Sequence, residues 1–363
     1  MSSRHIVWRQ LLGALATVGC LSAPCVAAEY YDQYGLAPKS PALDLGGQPL
    51  GYPSGTLSAV MAHDRLLGAR LKALGHPLAS HAFRRGADMV PLIGDQRLEA
   101  GLLGDMPTIL SAATGASVIA GLVKQSSTAL VARGQLQVQA LAGKRIGYIE
   151  ASSAHHTLLQ GLAAAGLKET DVTLVNLRID DMAPALERGE IDAFAGWEPA
   201  PSLALTASPQ NRIVFRGLST DYLVLNKAFT ESAPKAALEL IAGYLRAINW
   251  LRLSQRNIEQ AARWTLADTE AFSGSKPSTT VAQLVAIARR DILDVPSAPA
   301  IVRHPGELPL HQQFTFLDRL GKLPHLPTAA SLKNLAAAFA YDGLSKVSSA
   351  PRDYGLNQFD YAD

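Results

Sequence analysis

The chain has 363 residues, of which 48% are hydrophobic and 18% are charged. A chain of this length can form two compact domains, each with a core of its own. Its 33 basic and 31 acidic residues nearly cancel. Because nucleic-acid-binding proteins normally carry a basic excess, this balance argues against that class of function.

The first residues have the features of a secretory leader. Arg4 and Arg9 form a charged start, residues 11–21 are uncharged and mostly apolar, and Val26-Ala27-Ala28 offers small residues for cleavage. The apolar run is too short to span a bilayer. We therefore expect residues 1–28 to be a cleavable signal peptide and the mature protein to be soluble and exported.

Both cysteines of the chain, Cys20 and Cys25, fall inside this leader. The mature protein would then contain no disulfide, no thiolate nucleophile and no cysteine metal site. An alternative makes Cys20 a lipidated N-terminus, since Val18 and Gly19 precede it, although Thr17 stands where such signals usually have leucine. The histidines also lack the spacing of metal ligands, so we expect no metal and no cofactor.

The mature sequence begins with an irregular, proline-broken stretch and then alternates between strand and helix patterns. Residues 29–45 predict an irregular lead-in, residues 50–56 a short strand end with a turn, and residues 56–74 one helix. The elements expected next are strands or apolar runs at 81–84, 99–103, 117–123 and 128–132, and helices at 87–92 and 107–114.

Residues 144–159 predict a strand that gives way to a helix. Ile146 and Tyr148 have the spacing of a strand, and Ser152 or Ser153 is suited to cap the helix that follows. A helix N-terminus presents free backbone N–H groups and a partial positive charge. This junction could therefore hold an anion.

The rest of the chain continues the alternation and then becomes helical. The predicted strands are 172–176, 191–195, 213–215 and 222–225, and the predicted helices are 182–188, 234–253, 256–266 and 278–292. Such alternation indicates an α/β fold with parallel-rich sheets flanked by helices. In folds of this kind, ligands bind beyond the carboxyl ends of the strands. Only the last twenty or so residues have the composition of a tail.

Several strand-to-helix junctions carry small, hydroxyl or backbone-exposing residues and no activated nucleophile. They are Ser54-Gly55-Thr56 and residues 104–108, 125–128 and 152–155. Each one alone is also ordinary helix-capping chemistry. Their recurrence at one end of the predicted sheet, together with Trp197 beside Glu198-Pro199, indicates a pocket for a small anion. N–H and O–H groups would bind the anion, and the indole would face its organic part.

Two long motifs carry a resemblance to a known family. They are LAGKRIGYIEASSAHHTLL at residues 141–159, continued by GLKETDV at 166–172, and ALERGEIDAFAGWEP at residues 185–199. Together they resemble the periplasmic solute-binding proteins of ABC importers for sulfonates, taurine and nitrate, within the thiamine-precursor-binding superfamily. The resemblance extends in weaker form from about residue 50 to residue 340, and GLLGDMP at 101–107 is similar to a first-lobe loop of that family.

The resemblance implies a two-lobed, hinged binding protein of the type II topology. The first lobe would combine residues 46–127 with residues 226–340, and the second would span residues 128–225. Residues 128–133 and 222–227 would be the two crossing strands, and residues 341–363 would form a C-terminal tail.

The resemblance also implies the site and the mechanism. The residues it places toward the ligand are Ser54, Asp105, Met106, Ser126, Ser152, Ser153, His155 and Trp197. A ligand that touches both lobes would favour a closed form, which an ABC permease in the inner membrane would recognise. The expected partners are thus a small anion, such as an alkyl sulfonate or a taurine-like compound, and the permease. The protein would be a periplasmic monomer.

An enzymatic function has less support in the sequence. His155 or His156 could act as a base for Ser152 or Ser153, but no Gly-x-Ser-x-Gly elbow surrounds them. Superfamily enzymes that build the thiamine pyrimidine are implied to use a cysteine-rich motif, whereas the cysteines here lie in the leader. We therefore expect that the protein is not an enzyme. A pyrimidine-precursor binder and a ligand-sensing subunit without transport remain alternatives.

Overall fold

A computed structural model describes residues 30–293, 299–301, 306–323 and 326–361. The predicted signal peptide, with Cys20 and Cys25, lies outside the described residues. The described residues fall into two units, residues 30–35 and the residues from Leu36 onward. The described part of the first unit contains a short 3₁₀ helix, Asp32–Tyr34. No helix among the described residues has the length and apolar character needed to cross a membrane.

The second unit is built on one eight-stranded sheet. Its strands are β1 (Leu43–Gly47), β2 (Leu78–Ala82), β3 (Ala100–Gly104), β4 (Ser117–Arg133), β5 (Arg145–Tyr148), β6 (Thr173–Asn176), β7 (Ala193–Gly196) and β8 (Asn211–Asn226). Their order across the sheet is β2-β1-β3-β8-β4-β7-β5-β6. β1 is parallel to β2 and β3, and β5 is parallel to β6 and β7, whereas β8 and β4 are antiparallel to their neighbours.

Helices connect the strands and then make up most of the C-terminal part. They are α1 (Ser54–Ala62), α2 (Arg65–Ala73), α3 (Gly86–Gly94), α4 (Asp105–Ala113), α5 (Ser153–Ala164), α6 (Ile179–Glu187), α7 (Ala200–Ala207), α8 (Lys227–Ser232), α9 (Pro234–Leu253), α10 (Gln255–Ser273), α11 (Val281–Ala288), α12 (His311–Arg319), α13 (Thr328–Phe339) and α14 (Gly343–Ser349). The predicted α/β fold with a parallel-rich, helix-flanked sheet is confirmed.

Two hydrophobic cores lie along this sheet. One contains residues of β1 and β3 with residues of α1 and α9, such as Leu45 and Ile241. The other contains residues of β5 and β7 with residues of α5 and α6, such as Phe194 and Met182. Because each core is covered by its own helices, the sheet carries two lobes, as the resemblance implies. The bounds of the two lobes remain a prediction.

The long strands β4 and β8 join the two cores. They pair in antiparallel register from Ser117 with Asn226 to Arg133 with Asn211. The first half of β4, including Val123, packs in one core, and residues 129–132 pack in the other. These strands are therefore the two crossing strands of the fold.

The interpretation of residues 125–128 as a strand-to-helix junction is wrong. These residues lie in the middle of β4, where Ser126 pairs with Ser219 of β8. The predicted strands 117–123 and 128–132 are one strand, and 213–215 and 222–225 are parts of another. Gln125 is exposed, and Ser126 and Ser127 are partly exposed, which is why this stretch is as polar as a loop. Its backbone is nevertheless hydrogen-bonded within the β-sheet.

Two predictions for the N-terminal elements are also wrong. β1 begins within the segment expected to be irregular, at Leu43. The sequence does not reveal this strand because all five of its residues are buried, so it lacks the alternation of a half-exposed strand. The single helix expected over residues 56–74 is two helices, broken before Arg65. Asp64 adopts an extended backbone there and accepts the Leu67 N–H at 3.0 Å, which caps α2.

The C-terminal segment is folded against the first core, in contrast to the tail expected from its composition. Tyr361 lies with its ring centroid 4.4 Å from that of Trp250, and the Asp360 carbonyl accepts the Arg65 N–H at 2.9 Å. The buried Arg246 donates to the Tyr354 carbonyl at 2.8 Å. These contacts make residues up to 361 part of the same packed unit.

Candidate ligand-binding site

The candidate site is a small cavity where several strands end. Gln48 follows β1, Gly104 ends β3, Ser152 follows β5 and Trp197 follows β7. This position agrees with the rule that α/β folds bind ligands beyond the carboxyl ends of strands. The full lining consists of Gln48, Gly51, Tyr52, Ser54, Gly86, Gly104, Pro107, Lys124, Ser152, Ser153, Trp197 and Asp221.

The cavity measures about 30 Å³, which is room for a group the size of one or two water molecules. Its lining comes from both cores: Ser54 and Gly104 belong to elements of the first, and Ser153 and Trp197 to elements of the second. A solute held here would therefore touch both lobes.

The start of α5 forms one wall of the cavity. Ser152 caps this helix: its hydroxyl accepts the His155 N–H at 3.2 Å and donates to the Ile149 carbonyl at 2.6 Å. Ser153 is the first helical residue, and both serines line the cavity. The predicted strand-to-helix junction is thus confirmed, and its amide groups and helix dipole favour negative charge at this wall.

Gly104 allows the helix start to approach the sheet. A Cβ atom at this position would overlap the hydroxyl oxygen of Ser153 and would lie 3.5 Å from Asp221 Oδ1. Only a residue without a side chain therefore permits this approach of β3 to α5.

Two charged residues that no local sequence motif marks also line the cavity. Lys124 on β4 and Asp221 on β8 lie directly opposite each other, with 3.2 Å between Nζ and Oδ1. Ser54 donates a hydrogen bond from its hydroxyl to Asp221 Oδ2. Lys124 is only 4% exposed and Asp221 only 8%, so both charges are poorly solvated. In the sequence, each appears only as a charged residue beside an apolar run, and this pattern is common at strand ends.

A second polar pair lies behind the cavity wall. Asp105 at the start of α4 accepts the Met106 N–H at 2.7 Å, and its other oxygen is 4.0 Å from His156 Nδ1. Burial raises the pKa of Asp105, although His156, Ser153 and the Met106 N–H act in the opposite direction. Burial likewise lowers the pKa of His156, against the effect of Asp105. Both shifts favour the uncharged forms of this pair.

His155 points away from the cavity toward an ion pair. Its Nε2 is 2.8 Å from Glu169 Oε1, and its Nδ1 accepts the Ala151 N–H at 3.2 Å. Lys322 lies 2.6 Å from the second oxygen of Glu169. Burial lowers the pKa of His155, although the Glu169 carboxylate raises it. Both ring nitrogens are thus occupied.

Hydrogen bonds between two loops hold the aromatic wall of the cavity. Trp197 Nε1 donates to the Leu50 carbonyl at 3.4 Å, and the Tyr52 N–H donates to the Glu198 carbonyl at 3.1 Å. The Tyr52 hydroxyl is 3.0 Å from the hydroxyl of Thr269. Trp197 and Tyr52 both line the cavity, so an organic group next to the anion site would contact aromatic surface.

The structure brings four of the eight expected site residues to the cavity, namely Ser54, Ser152, Ser153 and Trp197. The other four, Asp105, Met106, Ser126 and His155, do not line it. No group of three or more potential ligands among the described residues could hold a metal ion. Ligand contact by any of these residues remains a prediction.

Comparisons with known proteins agree with this picture. The family model described as NMT1/THI5 like matches residues 84–255. A candidate aliphatic sulfonates-binding protein of Escherichia coli (strain K12) is 31% identical over 163 residues, which are 43% of this chain and 50% of the relative. The taurine-binding periplasmic protein of the same organism is 28% identical over 200 residues, or 50% of this chain and 62% of the relative.

A solved structure shares the fold. The alkanesulfonate-binding protein of Xanthomonas axonopodis pv. citri, bound to MOPS, superposes with a TM-score of 0.62 at 21% identity, covering 81% of this chain and 99% of that one. The fold is therefore that of a type II periplasmic binding protein. The resemblance to sulfonate- and taurine-type solute-binding proteins is confirmed in sequence, over about half the length of the curated relatives.

Proposed function

We propose that the protein is the extracytoplasmic solute-binding component of an ABC importer and captures a small organic anion, an alkyl sulfonate or a taurine-like compound. One observation carries this proposal: the start of α5, at Ser152 and Ser153, opens onto a cavity that also contains the ammonium group of Lys124. Backbone amides, hydroxyls and a cation are the groups that bind sulfonate oxygens.

The cavity is suited to the head of the ligand rather than to a large molecule. A volume of about 30 Å³ accommodates a compact group of a few atoms. Trp197 and Tyr52 offer aromatic surface to a short organic substituent. The names of the sulfonate- and taurine-binding relatives support this class of ligand.

Closure of the two lobes is the proposed mechanism of capture. We assign residues 46–127 and 226–340 to one lobe and 128–225 to the other, with β4 and β8 as the hinge. A ligand that contacts Ser54 on one side and Ser153 on the other is bound more tightly by the closed form. It therefore shifts the population toward that form.

The same proposal covers location, partners and chemistry. The name of the taurine-binding relative supports a periplasmic location. In this proposal the leader exports the protein, which delivers its ligand as a monomer to an inner-membrane permease. The contacts of Ser152 and His155, the candidate nucleophile and base, support a non-enzymatic role. The Ser152 hydroxyl donates to the Ile149 carbonyl, and both ring nitrogens of His155 are hydrogen-bonded. Neither residue can then activate the other as a nucleophile.

Isothermal titration calorimetry of the mature protein tests the function. Alkanesulfonates or taurine should release heat in a 1:1 titration, and nitrate, sulfate and a thiamine-type pyrimidine should bind less tightly. Heat with the pyrimidine or with a simple cation alone would reject the anion assignment. Co-purification with a permease, as opposed to a sensor kinase, would support import over sensing.

A further inference from the structure

Asp105 and His156 form a buried contact where the two cores meet. Asp105 begins α4, directly after β3 of the first core, and His156 lies in α5, which packs in the second core. Asp105 Oδ2 lies 4.0 Å from His156 Nδ1, and both side chains are 1% exposed. Neither residue lines the cavity, so anion binding does not explain an acid and a base at this position.

The contact leaves polar atoms of both side chains without a hydrogen bond in the part of the chain that the structure describes. They are Asp105 Oδ2 and both ring nitrogens of His156. The ring of Phe316 lies against His156, with 5.8 Å between the centroids. A charge without a partner is costly where water is excluded. The buried pair is neutral when it holds a single proton, and this is therefore its favoured state.

The groups that face the pair from neighbouring strands do not supply a free cation. Asp221 on β8 acts with burial to raise the pKa of Asp105, and Lys124 on β4 is bound to Asp221 at 3.2 Å. Burial also raises the pKa of Tyr222 on β8, so its hydroxyl stays protonated at neutral pH. The Asp105 carboxyl is the charged neighbour that acts on the pKa of His156.

We propose that closure of the lobes takes up one proton, which Asp105 and His156 hold between them in the closed form, so that ligand binding depends on pH. This inference rests on the proposed function, because it needs a ligand that closes the lobes. In an open form both side chains would be hydrated. Near pH 8 the carboxyl would then be ionised and the imidazole neutral. Closure excludes water from the carboxylate, and a proton from the buffer neutralises the pair.

The sign of the pH dependence follows from the number of protons on the pair. Below about pH 6 the open form already holds one proton, on His156, so closure takes up none and the affinity is constant. Above the ordinary pKa of histidine, about 6.5, closure must take up a proton, and the affinity falls as the pH rises. We expect affinity to be about five- to twentyfold weaker at pH 8 than at pH 6.

Calorimetry with ethanesulfonate tests the inference on the unaltered mature protein, since this probe does not titrate between these pH values. Titrations at pH 8 in Tris and in bicine compare two buffers that differ in ionisation enthalpy and lack a sulfonate group. The dependence of the observed heat on that enthalpy gives the number of protons taken up. We expect about one proton per ligand. Binding without proton uptake at pH 8 would overturn the inference.

The variant Asp105→Asn tests the assigned pair. An amide takes up no proton, so uptake at pH 8 should disappear. Near pH 6 closure should instead release a proton from His156, which reverses the pH dependence of the affinity. A purely structural role of Asp105 would not produce this reversal. Unchanged uptake at pH 8 in this variant would overturn the assignment.

The control is His81→Gln. His81 on β2 lies 2.7 Å from Asp44 on β1, so this acid–base pair belongs to one core and is not separated by opening. Proton uptake should stay as in the unaltered protein. Absence of heat with ethanesulfonate at both pH values would reject the proposed function, and the inference with it. If Asp105→Asn does not fold, the proton count of the unaltered protein still decides.

Discussion

At the scale of single residues, the site combines groups that the sequence reveals with groups that it hides. Ser152 is recognisable because a serine between a strand and an apolar helical pattern is a typical cap, and it caps α5. Lys124 and Asp221 could not be recognised in this way. Their pairing depends on the register of two strands nearly a hundred positions apart, which no local pattern specifies.

The helix start can be tested by placing a charge on it. Ser153→Asp puts a carboxylate where the sulfonate is expected, next to Asp221. We expect affinity for sulfonates to fall at least a hundredfold, because the new charge repels the ligand and occupies the same amides. Calorimetry on the purified variant measures this.

The matched control for that variant is Ser254→Asp. It introduces the same charge at the cap of α10, an exposed helix start outside the cavity. Aspartate is also a good cap, so neither folding nor affinity should change appreciably. Full affinity in Ser153→Asp would show that this helix start is not the anion site.

Arg246 provides a residue-scale prediction about stability. Its guanidinium is fully buried and binds Asp64 at 2.9 Å and Glu239 at 3.1 Å. Arg246→Leu would leave the buried carboxylate of Asp64 without its cation and Glu239 with only Arg70, 3.4 Å away, and we expect a loss of about 3–5 kcal/mol in the free energy of unfolding. Urea denaturation monitored by circular dichroism measures it. The exposed Arg256→Leu is the control, and an equally small effect of both variants would contradict the assignment.

At the scale of elements, the sequence predicts most helices and buried strands well and fails where polarity and backbone structure disagree. α5 was predicted from its cap and its apolar face, and α9 from its long helical pattern. The middle of β4 is not predicted as a strand, because hydroxyl residues are typical of loops. Its strand conformation is stabilised by backbone pairing with β8, a long-range contact that the local sequence does not contain.

Helix α12 and the residues just after it contact the second core. Phe316 of α12 has its ring centroid 5.8 Å from that of His156, and Lys322 is 2.6 Å from Glu169. His156 lies in α5, and Glu169 follows that helix in the chain. The segment that carries α12 therefore holds part of the second lobe in the arrangement seen here.

Removing this ion pair should weaken closure. We expect Lys322→Ala to lower the ligand affinity about two- to fivefold, since a partly exposed ion pair contributes up to roughly 1 kcal/mol. Calorimetry at low and high salt measures the change, which should shrink as salt increases. Lys333→Ala, on the exposed face of α13, is the control. Identical affinities for the two variants would show that the pair does not contribute to closure.

At the scale of the whole molecule, two cores share one sheet, and the strands β4 and β8 run from one core to the other. In the structure Gly104 already lies against Ser153, and Trp197 against the loop of Leu50, so the two cores meet at the cavity. A ligand is then enclosed by groups that no single lobe supplies. The two-lobed fold could be expected from the family motifs, whereas the charge arrangement of the cavity required the structure.

The central claim is that a small sulfonate binds at the start of α5 between the two lobes. A crystal structure of the protein grown with 2-aminoethanesulfonate tests it most directly. The account predicts sulfonate oxygens within hydrogen-bond distance of the Ser153 amide and of Lys124 Nζ. A sulfonate bound elsewhere, with the cavity at Ser152 and Ser153 unchanged and empty of it, would contradict the account.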